Sequence, residues 1–227
     1  MNMKKKVATL GLVAAMLLTS AGATLAYFTD TDAKTNTFTV GNVEIHVDEW
    51  MKNDEGTWVE YTDKQKLAPI AQEKAPFNKL VETVNDGSEP AYIRTFVTCP
   101  AELYWQLGYG FNSGANAKDG TPTDGTGIMH YLDSWTDIGK TTIGEDKEEV
   151  YIFMCEHKEA IPAGDSILSM TKVWVYDNVT NEQIPEGFEV KVFSEAIQSE
   201  NLTYEEAMTS LNAGKTNLEH AAELFSK

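Results

Sequence analysis

Positive charge is scarce in this chain: 18 Lys and Arg stand against 35 Asp and Glu, for a formal net charge of −17. Nucleic-acid binding is excluded on that ground, because phosphate contacts need clustered Lys or Arg. Anionic lipid repels such a surface for the same reason. Cysteine is nearly absent, with Cys99 and Cys155 alone and no C-x-x-C, which removes a cysteine-based zinc site. The chain also lacks H-E-x-x-H, so no helix face carries two histidine ligands and a base. It lacks the G-x-S-x-G elbow of a serine hydrolase as well. There is no apolar run of the roughly 20 residues that a membrane span requires.

What is present begins with a leader. Lys4, Lys5 and Lys6 precede an apolar core from Val7 to Leu18, and Thr24-Leu25-Ala26 fits the small-x-small pattern before a cut. Residues 1–26 are therefore expected to be a signal peptide cleaved between Ala26 and Tyr27, with Ala21-Gly22-Ala23 as another cut and an uncleaved anchor as the alternative. The leader holds three lysines and no acid, so its removal takes the formal charge from −17 to −20. The remaining 27–227 is long enough for one substantial core and needs no second domain. No C-terminal sorting motif or apolar anchor follows, so the mature chain is expected to be released, or held by polymerisation and partners.

Strand signals dominate the middle. Alternation predicts strands at 38–40 and 43–47, with Gly41-Asn42 as a break, and again at 57–61. Apolar runs at 79–84 and 91–97 flank Asn85-Asp86-Gly87-Ser88-Glu89-Pro90, which predicts a hairpin turning on Asp-Gly. Residues 112–127 are polar and glycine-rich and read as a long surface loop. Strands resume at 149–156, 167–176 and 188–197. After Gln198 the pattern turns helical: Thr203-x-x-Glu206 and Thr216-x-x-Glu219 are capping boxes, each before an apolar stripe. This order describes an all-β sandwich with helical decorations, the short helices falling in a tail at 199–227.

Ala26-Tyr27-Phe28-Thr29-Asp30-Thr31-Asp32 is followed by Asn36, Phe38, Gly41, Val43 and Ile45 at the spacing N-x-F-x-x-G-x-V-x-I. Near the other end, Phe188–Val192 precedes Ser194-Glu195-Ala196-Ile197-Gln198. Together these resemble the TasA/camelysin family, exported proteins of Gram-positive bacteria that are handled by a dedicated signal peptidase. The resemblance implies a jelly-roll-like sandwich in a secreted or cell-surface protein. It also implies a subunit of a biofilm-matrix fibre that assembles by donating its N-terminal strand. On that reading Tyr27, Phe28, Thr29, Asp30, Thr31 and Asp32 make the interaction, within an arm reaching to Thr37. The partners would be further copies of the chain and an accessory matrix protein.

Two other functions stand beside this one. Camelysin-type relatives are described as metallopeptidases, so a metal-dependent endopeptidase is the first. A monomeric binding module using the 112–127 loop is the second. The four histidines, His46, His130, His157 and His220, are never at i, i+4, and each is expected at the surface. His46 alternates with Ile45 and Val47 and should face away from them. No cofactor is expected. Calcium at Asp133 with Asp137, or at Asp119 with Asp124, is only weakly indicated because the EF-hand spacing is missing, and zinc has no better cluster than Cys155-Glu156-His157. Cys99 and Cys155 each end a predicted strand; a disulfide between them and two buried thiols both remain open.

Overall fold

The computed structural model describes residues 29–32, 43–61, 77–110, 129–131, 134–175 and 188–226. Eleven strands occur in chain order: β1 (Thr29–Asp32), β2 (Ile45–Lys52), β3 (Trp58–Glu60), β4 (Phe77–Asn85), β5 (Ala91–Pro100), β6 (Leu107–Gly110), β7 (Met129–Tyr131), β8 (Ser134–Ile143), β9 (Glu148–Glu156), β10 (Ser166–Val175) and β11 (Val192–Gln198). Two helices follow, α1 (Tyr204–Asn212) and α2 (Asn217–Leu224). The strands form two sheets, ordered β1-β11-β5-β9-β8 and β3-β2-β4-β10-β6. All pairs are antiparallel except the three-residue β7, which runs parallel to β10. The fold is therefore the expected all-β sandwich with helical decorations.

The two sheets face each other across Val81, Ile93, Val97, Cys155, Met170 and Ala196. The other face of the five-stranded sheet is covered as well. Phe96, Ile152, Met154 and Phe193 pack against Ala221 and Leu224 of α2. Ile197 packs against Tyr204, Ala207, Met208 and Leu211 of α1. Three layers result, with β5, β9 and β11 in the middle one. Strands covered on both sides carry near-continuous apolar runs, as β5 does in Ala-Tyr-Ile-Arg-Thr-Phe-Val.

Both helices start where the sequence predicts. The Thr203 side chain accepts from the Glu206 N–H while the Glu206 carboxylate accepts from the Thr203 N–H, and Thr216 and Glu219 repeat the exchange. Hydrogen bonds to Thr203 and to Thr216 hold the Glu206 and Glu219 carboxyls below the usual range. Helices this short are marginal in water, so most of their stability comes from the apolar face they bury. Each fully buried Leu or Met contributes about 1.5–3 kcal/mol. Gly139, at φ +121° in the bulge of β8, lets α2 approach: a Cβ there would meet Leu218 Cδ2 at 3.2 Å.

The predicted hairpin at 79–97 is not formed. β4 pairs with β2 and β10, whereas β5 pairs with β11 and β9, so the Asn85–Pro90 segment is an arch that crosses from one sheet to the other. Gly87 is not among the positive-φ glycines, so the Asp-Gly pair does not make the tight turn its composition suggests. Asn85 determines the arch instead. Its buried side chain donates to the carbonyls of Glu89 and Ile161, both at 2.9 Å, and accepts from the Gly87 N–H at 3.1 Å. The apolar pattern on both sides could not reveal this, because sandwich strands look alike whether they pair or stack.

β8 is a strand the sequence reading missed: Thr-rich and interrupted by Gly139, it shows no alternation. The predicted strand at 38–40, the loop at 112–127, and Asp119, Asp124 and Asp133 lie outside the described residues. So do Ala26, Tyr27 and Phe28. Val43 and Ile45, the last two positions of the N-terminal motif, are both fully buried in the core.

Replacing Asn85 by Ala removes three hydrogen bonds at the arch and takes away the Glu89 carbonyl's side-chain donor, while the Ile161 carbonyl keeps the Ala91 N–H and the Gly87 N–H keeps the Glu44 carbonyl. The Asn85→Ala protein is expected to lose about 2–3 kcal/mol of stability, read from the urea midpoint at unchanged m-value.

Candidate functional site

The N-terminal arm meets the fold at β11. Thr29, Asp30, Thr31 and Asp32 stand opposite Ile197, Ala196, Glu195 and Ser194, so β1 is the edge strand of the five-stranded sheet. The arm is thus not free along its length, as a donor would be: four of its residues pair within their own chain. Their sequence is Thr-Asp-Thr-Asp, and they pair with β11 through an antiparallel main-chain ladder.

β11 itself is anchored from both faces. On its helix side, Glu195 is almost fully buried and receives Arg94 Nε at 2.5 Å and His220 Nε2 at 2.8 Å. Arg94 extends the network to α1 and α2, donating to Asn212 Oδ1 at 2.8 Å and to Asn217 Oδ1 at 3.3 Å. Nearby, the Tyr204 hydroxyl donates to Glu156 Oε1 at 2.5 Å. Burial first, and then the Glu156 carboxylate, push that phenol far above its ordinary range, so it remains a donor. On the opposite face, Ser194 Oγ lies 2.8 Å from Thr83 Oγ1 and 2.9 Å from Thr95 Oγ1, which ties the two sheets together under β11. The sequence placed Glu195 in the C-terminal motif and His220 among the four histidines, but nothing joined them to each other or to Arg94; the signal for burial was charge inside apolar runs, Arg94 within Tyr-Ile-Arg-Thr-Phe and Glu195 within Phe-Ser-Glu-Ala-Ile.

The remaining candidates are dispersed. Both cysteines are thiols, and the open disulfide is not formed. Their strands are neighbours, but Cys99 stands opposite Tyr151 and Cys155 opposite Thr95. Four ladder positions separate them, roughly 13 Å at about 3.3 Å per residue, well beyond the ~7 Å a disulfide tolerates between Cα atoms. Burial pushes the Cys155 thiol well up, which leaves it unreactive. The expectation that the histidines lie at the surface fails for His157, which is buried, and for His220, which is held against Glu195. Cys155 enters the inter-sheet core while Glu156 turns to Tyr204, so the densest predicted ligand cluster splits across two faces. Asp137 accepts from the Tyr104 hydroxyl at 2.5 Å and from the Gly139 N–H at 2.9 Å.

His46 does face away from Ile45 and Val47. Its Nε2 donates to Asp48 Oδ2 at 3.2 Å and its Nδ1 to Asp86 Oδ2. The two carboxylates thus sit at opposite ring nitrogens and do not converge. Among the described residues no group of three or more His, Cys, Asp and Glu side chains is placed to hold a metal ion. The described residues therefore do not fit a catalytic metal. The Asp48 carboxylate, helped by Asp86 and opposed by desolvation, raises the His46 pKa from 6.5 to about 9.

A folded-state pKa above the unfolded one stabilises the protein fully below pH 6.5, and that contribution is lost as pH climbs through about 9. With His46 half-exposed, solvent screening limits the contribution to about 1 kcal/mol. Urea midpoints from pH 6 to 10 should fall across that window in the parent protein and flatten in His46→Gln. A second expectation concerns β11: Glu195→Ala leaves Arg94 buried and unpaired, and should cost about 3–5 kcal/mol in the same assay.

No curated protein and no solved structure matches the chain. The family model described as camelysin metallo-endopeptidase matches residues 2–54, the stretch that carries the leader, the arm, Asn36, Phe38, Gly41, Val43 and Ile45. Over that segment the chain is similar to the camelysin family, in line with the resemblance carried by its N-terminal motif.

Proposed function

We propose that this protein is a secreted structural subunit of a cell-surface or biofilm-matrix fibre, assembled when the N-terminal arm of one copy takes the place of β1 in the next. The observation that carries the reading is the mismatch across the β1–β11 ladder. β11 is a buried strand, anchored on both faces, that needs a partner along its outer edge. The partner it has is a strand of four residues, Thr and Asp, types with little apolar surface. An edge of that kind is a template for any strand of suitable register. Ten residues separate Asp32 from Val43. Fully extended, that many residues reach up to about 35 Å, enough to cross to a neighbouring subunit. Exchange between copies makes a head-to-tail contact that does not close, and so builds filaments. The acceptor on this reading is the backbone of Ser194–Ile197. Cleavage between Ala26 and Tyr27 would free the donor end.

The strong negative charge sets the conditions. Copies carrying about −20 repel at low ionic strength, and salt shortens the range of that repulsion to about 10 Å at 0.1 M. Protonating carboxylates at low pH acts in the same direction.

The family description favours one other reading, a cell-surface metallo-endopeptidase. Proteolysis abolished by a chelator would support it.

Electron microscopy of the chain beginning at Tyr27 should show filaments as salt is raised or pH lowered. The same chain without residues 27–37 should stay monomeric. Monomers from both under every condition would overturn self-assembly by strand exchange.

A further inference from the structure

Among the described residues, Trp105 is the single large apolar side chain left in water, at 80 % exposure. Its position is fixed. It follows a short 3-10 turn, Ala101–Leu103, whose Leu103 is buried and whose carbonyl accepts the Gln106 N–H at 2.9 Å. Tyr104 meets the indole edge-on, with centroids 4.7 Å apart and planes at 88°. Tyr104 is held in turn by Tyr151, at 3.9 Å between ring centres, and by its hydroxyl bond to Asp137. An exposed tryptophan set edge-on against a tyrosine that is itself held has less rotamer freedom to lose on binding.

The surroundings narrow the ligand. The nearby charges are acidic: Glu102 in the same turn and Asp137 beneath Tyr104 are both exposed, while Lys140, beside Tyr151 in the ladder, is paired with Glu149 at 3.0 Å. A nucleobase could stack on indole, but among the described residues the turn and its contacts offer its phosphates no unpaired cation. Quaternary ammonium recognition uses a cage of several rings, and here one ring is open. A stable protein interface buries about 800 Å² per partner around an apolar centre, and one exposed ring among polar side chains cannot supply that. A pyranose remains. Its C–H face is apolar and matches one aromatic plane, and its hydroxyl edge suits carboxylate and phenol acceptors such as Glu102 and Tyr104.

We propose that Trp105, braced by Tyr104 and Asp137, is a stacking platform for a neutral polysaccharide. The surface lies by β9 and β8, at the far edge of the five-stranded sheet from β1, so a glycan there would leave the β11 edge open. The inference is independent of strand exchange.

The test uses the whole secreted chain at low salt, incubated with microcrystalline cellulose, with chitin and with anionic polygalacturonate. The parent is expected to be retained on at least one neutral glycan and not on polygalacturonate. Trp105→Ala should weaken retention at least tenfold and Trp105→Tyr should restore part of it, with thermal midpoints unchanged because the side chain is exposed. Failure of the parent on both neutral glycans would overturn the proposal, as would equal retention of Trp105→Ala or equal binding to polygalacturonate. Self-association by sedimentation that needs Trp105, without glycan retention, would overturn it too and assign the ring to contacts between copies.

Discussion

Glu195, held by Arg94 and His220, and Ser194, held by Thr83 and Thr95, sit at adjacent positions of β11 and point to opposite faces of it. On one side the strand is tied to the helices and on the other to the second sheet. Separating any layer from β11 would strand a charge or a hydroxyl in a low-dielectric interior, and a broken buried pair costs more than the pair contributes when intact. The helices, the middle sheet and the outer sheet are therefore mutually committed through one strand. β11 has β5 along one hydrogen-bonding edge and the four-residue β1 along the other.

That arrangement makes the β1 edge the soft part of a rigid assembly. Elsewhere the sheet neighbours β5 and β9 contribute large buried side chains, among them Phe96, Ile93 and Ile152. β1 contributes threonine and aspartate, residues with little apolar surface to bury. Local stability follows apolar burial, so opening at β1 is expected to cost far less than opening anywhere else in this sheet. The opposite edge carries the aromatic ladder of Trp105, Tyr104 and Tyr151. One sheet thus offers backbone hydrogen-bonding groups at one edge and an aromatic surface at the other.

Charge is handled differently inside and out. The surface is strongly acidic, yet Glu49 and Lys79, in the adjacent strands β2 and β4, form a nearly buried pair at 3.0 Å with the lysine over the Tyr61 ring. Asp48 and Glu49 are therefore not a simple solvated acidic run. Asp48 is spent on His46, and Glu49, pointing the other way, on Lys79.

Local chemistry was legible in the sequence. The capping boxes at Thr203 and Thr216 place both helices, because a cap needs only four consecutive residues. The alternation around His46 assigns its face, because a strand has period two. The buried Val43 and Ile45 explain the spacing of the N-terminal motif. What depends on partners far along the chain was not legible. Asp86-Gly87 reads as a hairpin, and the arch became visible only once β4 and β5 were seen in different sheets. Cys99 and Cys155 lie on neighbouring strands, but ladder register, set by packing over the whole sheet, holds them apart. Arg94, Glu195 and His220 are separated by 101 and 25 residues, and no local pattern joins them. By itself, then, the sequence determined both helices, the strongly patterned strands, the acidic charge and the N-terminal motif, all of which follow from neighbouring residues. Sheet membership, register and the buried network under β11 were decided by tertiary structure, because each depends on which apolar faces meet.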